Sequence, residues 1–204
     1  MAFKLITDDD VKALTKGDFS TAFDSVLNDV LIPAIGEAFA NYCHRPDFDK
    51  TARTEYFSPG YYQHTLRVKS PPIDEVAAAV RVYEDSSLPR FGGSETELVN
   101  GTEYFVHAAR GTIEKLSNFI CGPKTVKVTY TGGYLTSDAA GTPPALKLAA
   151  ITQAKILFER REEYGITGRS LEGGSINLMT ILTLPRQVTL LLDKFKMYDY
   201  ACAD

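Results

Sequence analysis

The chain has 204 residues, 44% of them hydrophobic and 24% charged, with a formal net charge of −4 and a pI near 5.5. That is enough apolar mass for one ordinary core, or for a small core with an inserted subdomain, and it excludes the basic profile of a general nucleic-acid binder. The acidity is local: residues 1–52 carry 5 Lys+Arg against 9 Asp+Glu, while 53–134 and 135–204 are each balanced.

Three scattered cysteines, Cys43, Cys121 and Cys202, have no C-x-x-C spacing, which predicts free thiols in a reducing compartment. The N-terminus M-A-F-K-L-I-T-D-D-D lacks a basic region followed by an apolar run, so no signal peptide is expected. No window approaches ~18 uninterrupted apolar residues, and the expectation is a soluble protein with no membrane partner.

Thr7 followed three residues later by Asp10 predicts a capping box and a short helix with Val11 and Leu14 inside. A metal site is the rival for Asp8-Asp9-Asp10, but consecutive helical residues diverge, and three first-turn carboxylates suit the helix dipole. A second helix is predicted from Asp18 or Ser20 to about Tyr42. Phe23, Val26, Leu27, Val30, Leu31, Ala34, Ala38 and Tyr42 form its apolar stripe, and Pro33 should kink or split it near Leu31. Cys43-His44 at its end has no second Cys/His pair at ligand spacing and is assigned to packing.

From Arg53 the period falls to two. Tyr56-Phe57, the turn Ser58-Pro59-Gly60 and Leu66/Val68 are expected to form a hairpin. A strand through Val76–Val82 ends at Tyr83-Glu84-Asp85, residues 85–95 form a polar loop, and short strands follow at Leu98, Tyr104–Val106 and Ile113–Leu116. The stretch Val126–Gly165 organises the rest. Val126, Val128 and Tyr130 alternate with polar residues in a strand, Gly132-Gly133 turns, and Thr142 with Pro143 opens the longest helix, which Gly165 stops. On a wheel of ~100° steps, Leu146, Leu157, Ala150, Ala154, Phe158 and Ile151 make one arc, widened by Ala149 and Ile156. The helix is apolar around more than half its girth, which predicts burial on two sides, one of them against a neighbouring subunit.

The glycine-rich segment after Gly165 is not a P-loop, because the glycine spacing and the lysine are wrong, and G-I-T-G lacks the context of a KH clamp. It is expected to be a mobile loop open to ordering by a partner. Leu184-Pro185 begins a last helix with Val188, Leu191, Leu192 and Phe195 on one face, before a tail containing Tyr198 and Tyr200. The predicted class is α+β: a small helical bundle (two N-terminal helices, one long central helix, one C-terminal helix) with an inserted antiparallel β subdomain. The boundaries are 1–52, 53–134 and 135–204.

Catalytic chemistry finds no support. His44, His64 and His107 have no nucleophile beside them in sequence, and G-x-S-x-G, H-E-x-x-H and G-x-G-x-x-G are absent. No catalytic, cofactor-binding or metal residue is assigned.

The order of motifs resembles the head–tail adaptor (connector) proteins of tailed bacteriophages. An acidic helical pair ends in a Y-x-x-R-like segment, Tyr42 to Arg45. A P-P-I step follows at Pro71-Pro72-Ile73, then a V-x-V-Y-E-D strand, Val80 to Asp85. Val126 to Tyr134 match V-x-V-x-Y-x-G-G-Y, and Pro143 to Ala149 match P-x-x-L-K-x-A. Arg160 to Gly165 and the closing Leu184-Pro185 with Leu191–Phe195 complete the series. The inserted β subdomain departs from the shortest, mostly helical members.

The resemblance implies a structural virion protein, not an enzyme. About twelve copies would form a ring under the portal protein, assembled in the host cytoplasm and located in the virion neck. The ring would extend the DNA channel without sequence-specific contact and dock a head-closure or tail protein. The net acidity suits a channel through which DNA slides. Ile156, Arg160, Arg161, Glu163, Tyr198 and Tyr200 are the expected subunit or partner contacts, the tyrosines because they give large contact area at low entropy cost. The alternatives are another neck or tail completion protein (head closure or tail terminator) and, from a different class, a small enzyme or RNA-binding module.

Overall fold

The computed structural model describes residues 5–15, 25–74, 80–88, 90–134, 141–159, 168–171, 174–177 and 184–197. The chain is α+β and divides into two compact units: Met1–Arg45 with Thr136–Asp204, and Pro46–Leu135.

The first unit is helical. Helix α1 (Asp8–Thr15) opens on the predicted capping box: the Asp10 N–H donates to Thr7 Oγ1 at 3.3 Å and the Thr7 N–H to Asp10 Oδ2 at 3.2 Å. A π-helical turn, Leu27–Leu31, runs directly into α2 (Ile32–Tyr42). Pro33 sits at the junction and has no N–H to donate back. The turn before it widens, so that the Ile32 N–H reaches the Leu27 carbonyl, and the helix continues without breaking. The split expected near Leu31 from Pro33 does not occur; the irregularity there is a π-helical turn. The start of this helix lies outside the described residues.

Helix α3 (Pro144–Glu159) is the long central helix. Its N-terminus differs from expectation. Pro144, not Pro143, occupies the first helical position, and the Pro143 carbonyl accepts the Lys147 N–H at 2.9 Å. The Thr142 hydroxyl caps nothing; it is buried without a hydrogen-bond partner among the described residues. Two successive prolines remove the N–H groups that a capping oxygen would otherwise serve first. Leu146, Ala149, Ala150, Gln153 and Ala154 form the deeply buried face, and α1, α2 and α4 (Arg186–Leu192) pack around the helix. Three alanines there allow close helix approach, because small side chains shorten the interaxial distance. Lys147 Nζ binds Asp10 Oδ1 at 2.8 Å and joins α3 to α1. In α4, Val188 and Leu192 are buried, and a 3₁₀ turn, Asp193–Phe195, adds Phe195 to the same face.

The glycine-rich segment corrects a second expectation. Instead of an irregular loop, Gly168–Leu171 (β8) and Gly174–Asn177 (β9) pair as an antiparallel hairpin, Leu171 opposite Gly174.

The second unit holds a sheet of order β1-β7-β3-β4 and another of order β2-β6-β5. The strands are β1 (Thr51–Phe57), β2 (Thr65–Arg67), β3 (Arg81–Glu84), β4 (Thr96–Glu97), β5 (Tyr104–His107), β6 (Thr112–Lys115) and β7 (Val126–Gly132). The predicted hairpin of residues 56–68 does not form. Strand β1 pairs along its whole length with β7, Thr51 opposite Gly132 and Phe57 opposite Val126, while β2 pairs with β6 in the other sheet. Alternation identifies a strand but not its partner. Strand β7 is central and alternates as expected: Val126, Val128 and Tyr130 are buried and join Leu66, Val82, Tyr104 and Ile113 in one core.

At the end of β7 the two glycines do different work. Gly133 has φ +113°, and a Cβ there would lie 2.1 Å from the Asp49 carbonyl oxygen. Gly132 still belongs to the strand; it is required because a Cβ would meet the Ser70 carbonyl oxygen at 2.3 Å.

Candidate functional site

In the helical unit, α2 ends in a Schellman geometry. The Arg45 N–H donates to the Ala40 carbonyl at 2.9 Å and the His44 N–H to Asn41 at 3.2 Å, with His44 at φ +53° in the place usually taken by glycine. The C-terminal segment is strapped to this helix end. The Tyr42 hydroxyl donates to Asp193 Oδ1 (2.7 Å), the Cys43 thiol to the Leu192 carbonyl (3.7 Å), Arg45 Nε to the Phe195 carbonyl (2.9 Å), and the Met197 N–H to the Cys43 carbonyl (2.8 Å). Lys196 Nζ lies 3.9 Å from the Tyr42 ring centroid and 3.0 Å from Asp193 Oδ1. The Tyr42 hydroxyl and Lys196 hold the Asp193 carboxyl below its ordinary range. This explains the Y-x-x-R-like phrase: Tyr42 and Arg45 are the two side chains that grip the strap.

The same geometry answers the Cys43-His44 question. Cys43 is fully buried, and burial pushes its thiol up to about 11, the opposite of an activated nucleophile. His44 is exposed at a helix end, and His107 is exposed beside Glu114, Nε2 to Oε2 3.3 Å. Among the described residues no group of three or more His, Cys, Asp or Glu is placed to hold a metal, and no helix is long and apolar enough to cross a membrane.

The β unit carries the larger exposed apolar features. The turn after β1 exposes Tyr61 (85%) and Tyr62 (83%), and the segment after β6 exposes Leu116 (71%). The two segments are stitched together: the Phe119 N–H donates to the Gln63 carbonyl (2.8 Å), the Gly122 N–H to Pro59 (3.1 Å), and the Lys124 N–H to Ser58 Oγ (2.9 Å). Beside them an open cavity of about 1150 Å³ is lined by Leu98, Val99, Phe105 and Leu116, with Arg81, Glu97 and Glu114 among its charged residues. In the polar stretch after β3, Asp85 organises its neighbours. The Asp85 carboxylate accepts the N–H groups of Ser87 (2.8 Å) and Phe91 (2.6 Å), and Arg90 Nη1 donates to the Asp85 carbonyl (2.7 Å). The Ser87 hydroxyl together with these N–H groups lowers the Asp85 carboxyl.

Of the interface residues expected from sequence, Ile156 is half-buried on α3, while Arg160, Arg161, Glu163, Tyr198 and Tyr200 lie outside the described residues. The chain itself covers more of α3 than the helical wheel suggested. Ile151, Leu157 and Phe158 are half-buried, and Leu148 is the one large apolar side chain of α3 that is exposed, at 50%. The exposed Tyr61-Tyr62 pair was missed by the sequence reading. Its signal in the sequence is two adjacent tyrosines directly after Pro59-Gly60, within the span expected as a hairpin.

No family model matches the sequence, and no curated protein matches it. Solved structures do match the fold. A chain in the neck of an empty gene transfer agent particle, computed with C6 symmetry, superposes with a TM-score of 0.61 at 15% identity, over 99% of this chain and 93% of that one. A chain in the virion of a native gene transfer agent particle gives 0.59 at 15%, with the same coverage. A chain in the neck of the native particle, computed with C12 symmetry, gives 0.53 at 16%, over 94% and 91%. At these identities the likeness is one of fold.

Proposed function

We propose that this chain is a structural neck protein of a tailed, phage-like particle, and within that class a head–tail adaptor. The observation that carries the proposal is the end-to-end match of fold: 99% of this chain aligns with a chain from the neck of a gene transfer agent particle, so neither unit is an unrelated addition. The order of sequence motifs supports the same reading, including the Tyr42 and Arg45 grip and the Gly132-Gly133 close approach, both of which have structural reasons here.

In this role about twelve copies form a ring under the portal, the DNA channel runs through it, and a head-closure or tail protein docks on the far side. The work is mechanical and non-enzymatic. Ring closure requires heterologous contacts, in which each copy offers two different surfaces. Ile156 and the charged run Arg160, Arg161 and Glu163 are assigned to one of them, and Tyr198 and Tyr200 to docking.

The test is native mass spectrometry and negative-stain imaging of the purified chain, alone and mixed with its portal protein. A closed ring on the portal is the expected result. A chain that stays monomeric with the portal present overturns the adaptor reading. A ring that instead caps a tail tube, and ignores the portal, assigns the chain to tail completion.

A further inference from the structure

Among the described residues of the β unit, one ion pair is buried between the two sheets. Glu84 closes β3 and Lys115 closes β6; their residues are 6% and 9% exposed, and Nζ lies 2.6 Å from Oε2. The arrangement is saturated on the side of the segment that follows β6. Glu84 Oε1 accepts the Ile120 N–H at 3.1 Å, Lys115 Nζ also reaches the Asn118 carbonyl at 3.3 Å, and the ammonium stands 5.5 Å from the Phe119 ring centroid. Every one of these additional contacts falls on residues 118–120. That segment is bound in turn to the 58–63 turn, through Phe119 to Gln63 and Gly122 to Pro59.

A buried ion pair is a poor device for stability alone. Desolvation of the two charges offsets most of their attraction, and an apolar pair of similar volume often does as well or better. What an apolar pair cannot do is accept an N–H and donate to a carbonyl in the neighbouring loop.

We propose that the Glu84–Lys115 pair is a positioning device: it fixes the 116–122 segment and, through it, the 58–63 turn, so that Tyr61, Tyr62 and Leu116 are displayed in one preset arrangement. Its value lies in local geometry, with little net contribution to the global stability of the unit. The inference stands independently of the neck reading, since it rests on distances within one unit.

The experiment is amide hydrogen exchange on the full chain, with thermal unfolding of the same samples. The variants are the apolar double replacement Glu84→Leu with Lys115→Met, and Glu84→Gln, which keeps an oxygen for the Ile120 N–H but removes the charge. The double variant should melt within a few degrees of the parent, yet exchange the Phe119, Ile120 and Gly122 amides at least about tenfold faster, with strand β7 unchanged. Glu84→Gln should fall between the two. Unchanged protection at 119–122 in the folded double variant overturns the proposal. So does a large loss of melting temperature with faster exchange throughout β7, which would make the pair a plain stabiliser. Should the double variant not fold, that result also counts against it, and the exchange pattern of Glu84→Gln provides the independent reading.

Discussion

The helical unit and the β unit of this chain are closed by different kinds of contact. The helical unit is made largely of helices set by i to i+4 spacing, and is then cinched by a C-terminal strap held across about 150 positions, Tyr42 to the Asp193 carboxylate and Arg45 to the Phe195 carbonyl. The β unit has one tight hairpin, β5 with β6, but its longest pairing and the pairing of its second strand join segments far apart in sequence. Its first strand waits for β7, and its second joins β6 in a different sheet. Helices can therefore form before the strap closes, whereas the β unit has to solve its non-local pairings together, with the loop-closure entropy that entails.

The sharpest break in this comparison is Gly133→Ala. The built Cβ lies 2.1 Å from backbone and φ is +113°, so the loss should be about 3 kcal/mol or more. It should fall on the β unit: urea unfolding should separate into two transitions, with helical circular dichroism surviving the first. Next comes Leu146→Ala on the buried face of α3, expected to cost about 3 kcal/mol and to melt the helical unit first. Tyr42→Phe removes the hydroxyl's interactions with Asp193 and Lys196 and should have a smaller, local effect, seen as faster exchange of the Met197 amide before any global change. Lys155→Ala, on an exposed Lys155–Glu159 contact of 3.7 Å, should move stability by less than about 0.5 kcal/mol.

Acid should act on both units by one rule. Asp8, Asp10, Asp85, Glu95 and Asp193 have carboxyls held below their ordinary values. For Asp10, burial works in the opposite direction, but Lys147 and the Thr7 hydrogen bonds outweigh it. A lowered folded-state value means that the contribution is present above the unfolded value, 3.8 for Asp, and is lost as pH falls through the folded one. Unfolding midpoints should accordingly hold across neutral pH and fall below about pH 4. The strap should loosen in the same range as Asp193 protonates.

The contrast also explains what could be read from sequence. Helix content, the capping box at Thr7, the irregularity before Pro33 and the buried face of β7 were all legible, because each is written within one turn or one strand. The partner of β1 was not, because Phe57 and Val126 are paired by the fold and not by any nearby turn chemistry. The wheel for α3 found an apolar surplus but could not count how many neighbours the chain itself would supply. The tyrosines at 61 and 62 stand in plain view after Pro59-Gly60, but their exposure depends on β1 pairing elsewhere, which no local pattern shows.

The central claim is that this chain closes into a neck ring. Native mass spectrometry of the chain with its portal protein tests it most directly. The account predicts one ring of about twelve copies per portal assembly. A chain that remains a monomer beside an intact portal, at concentrations where the portal itself is saturated, would contradict it.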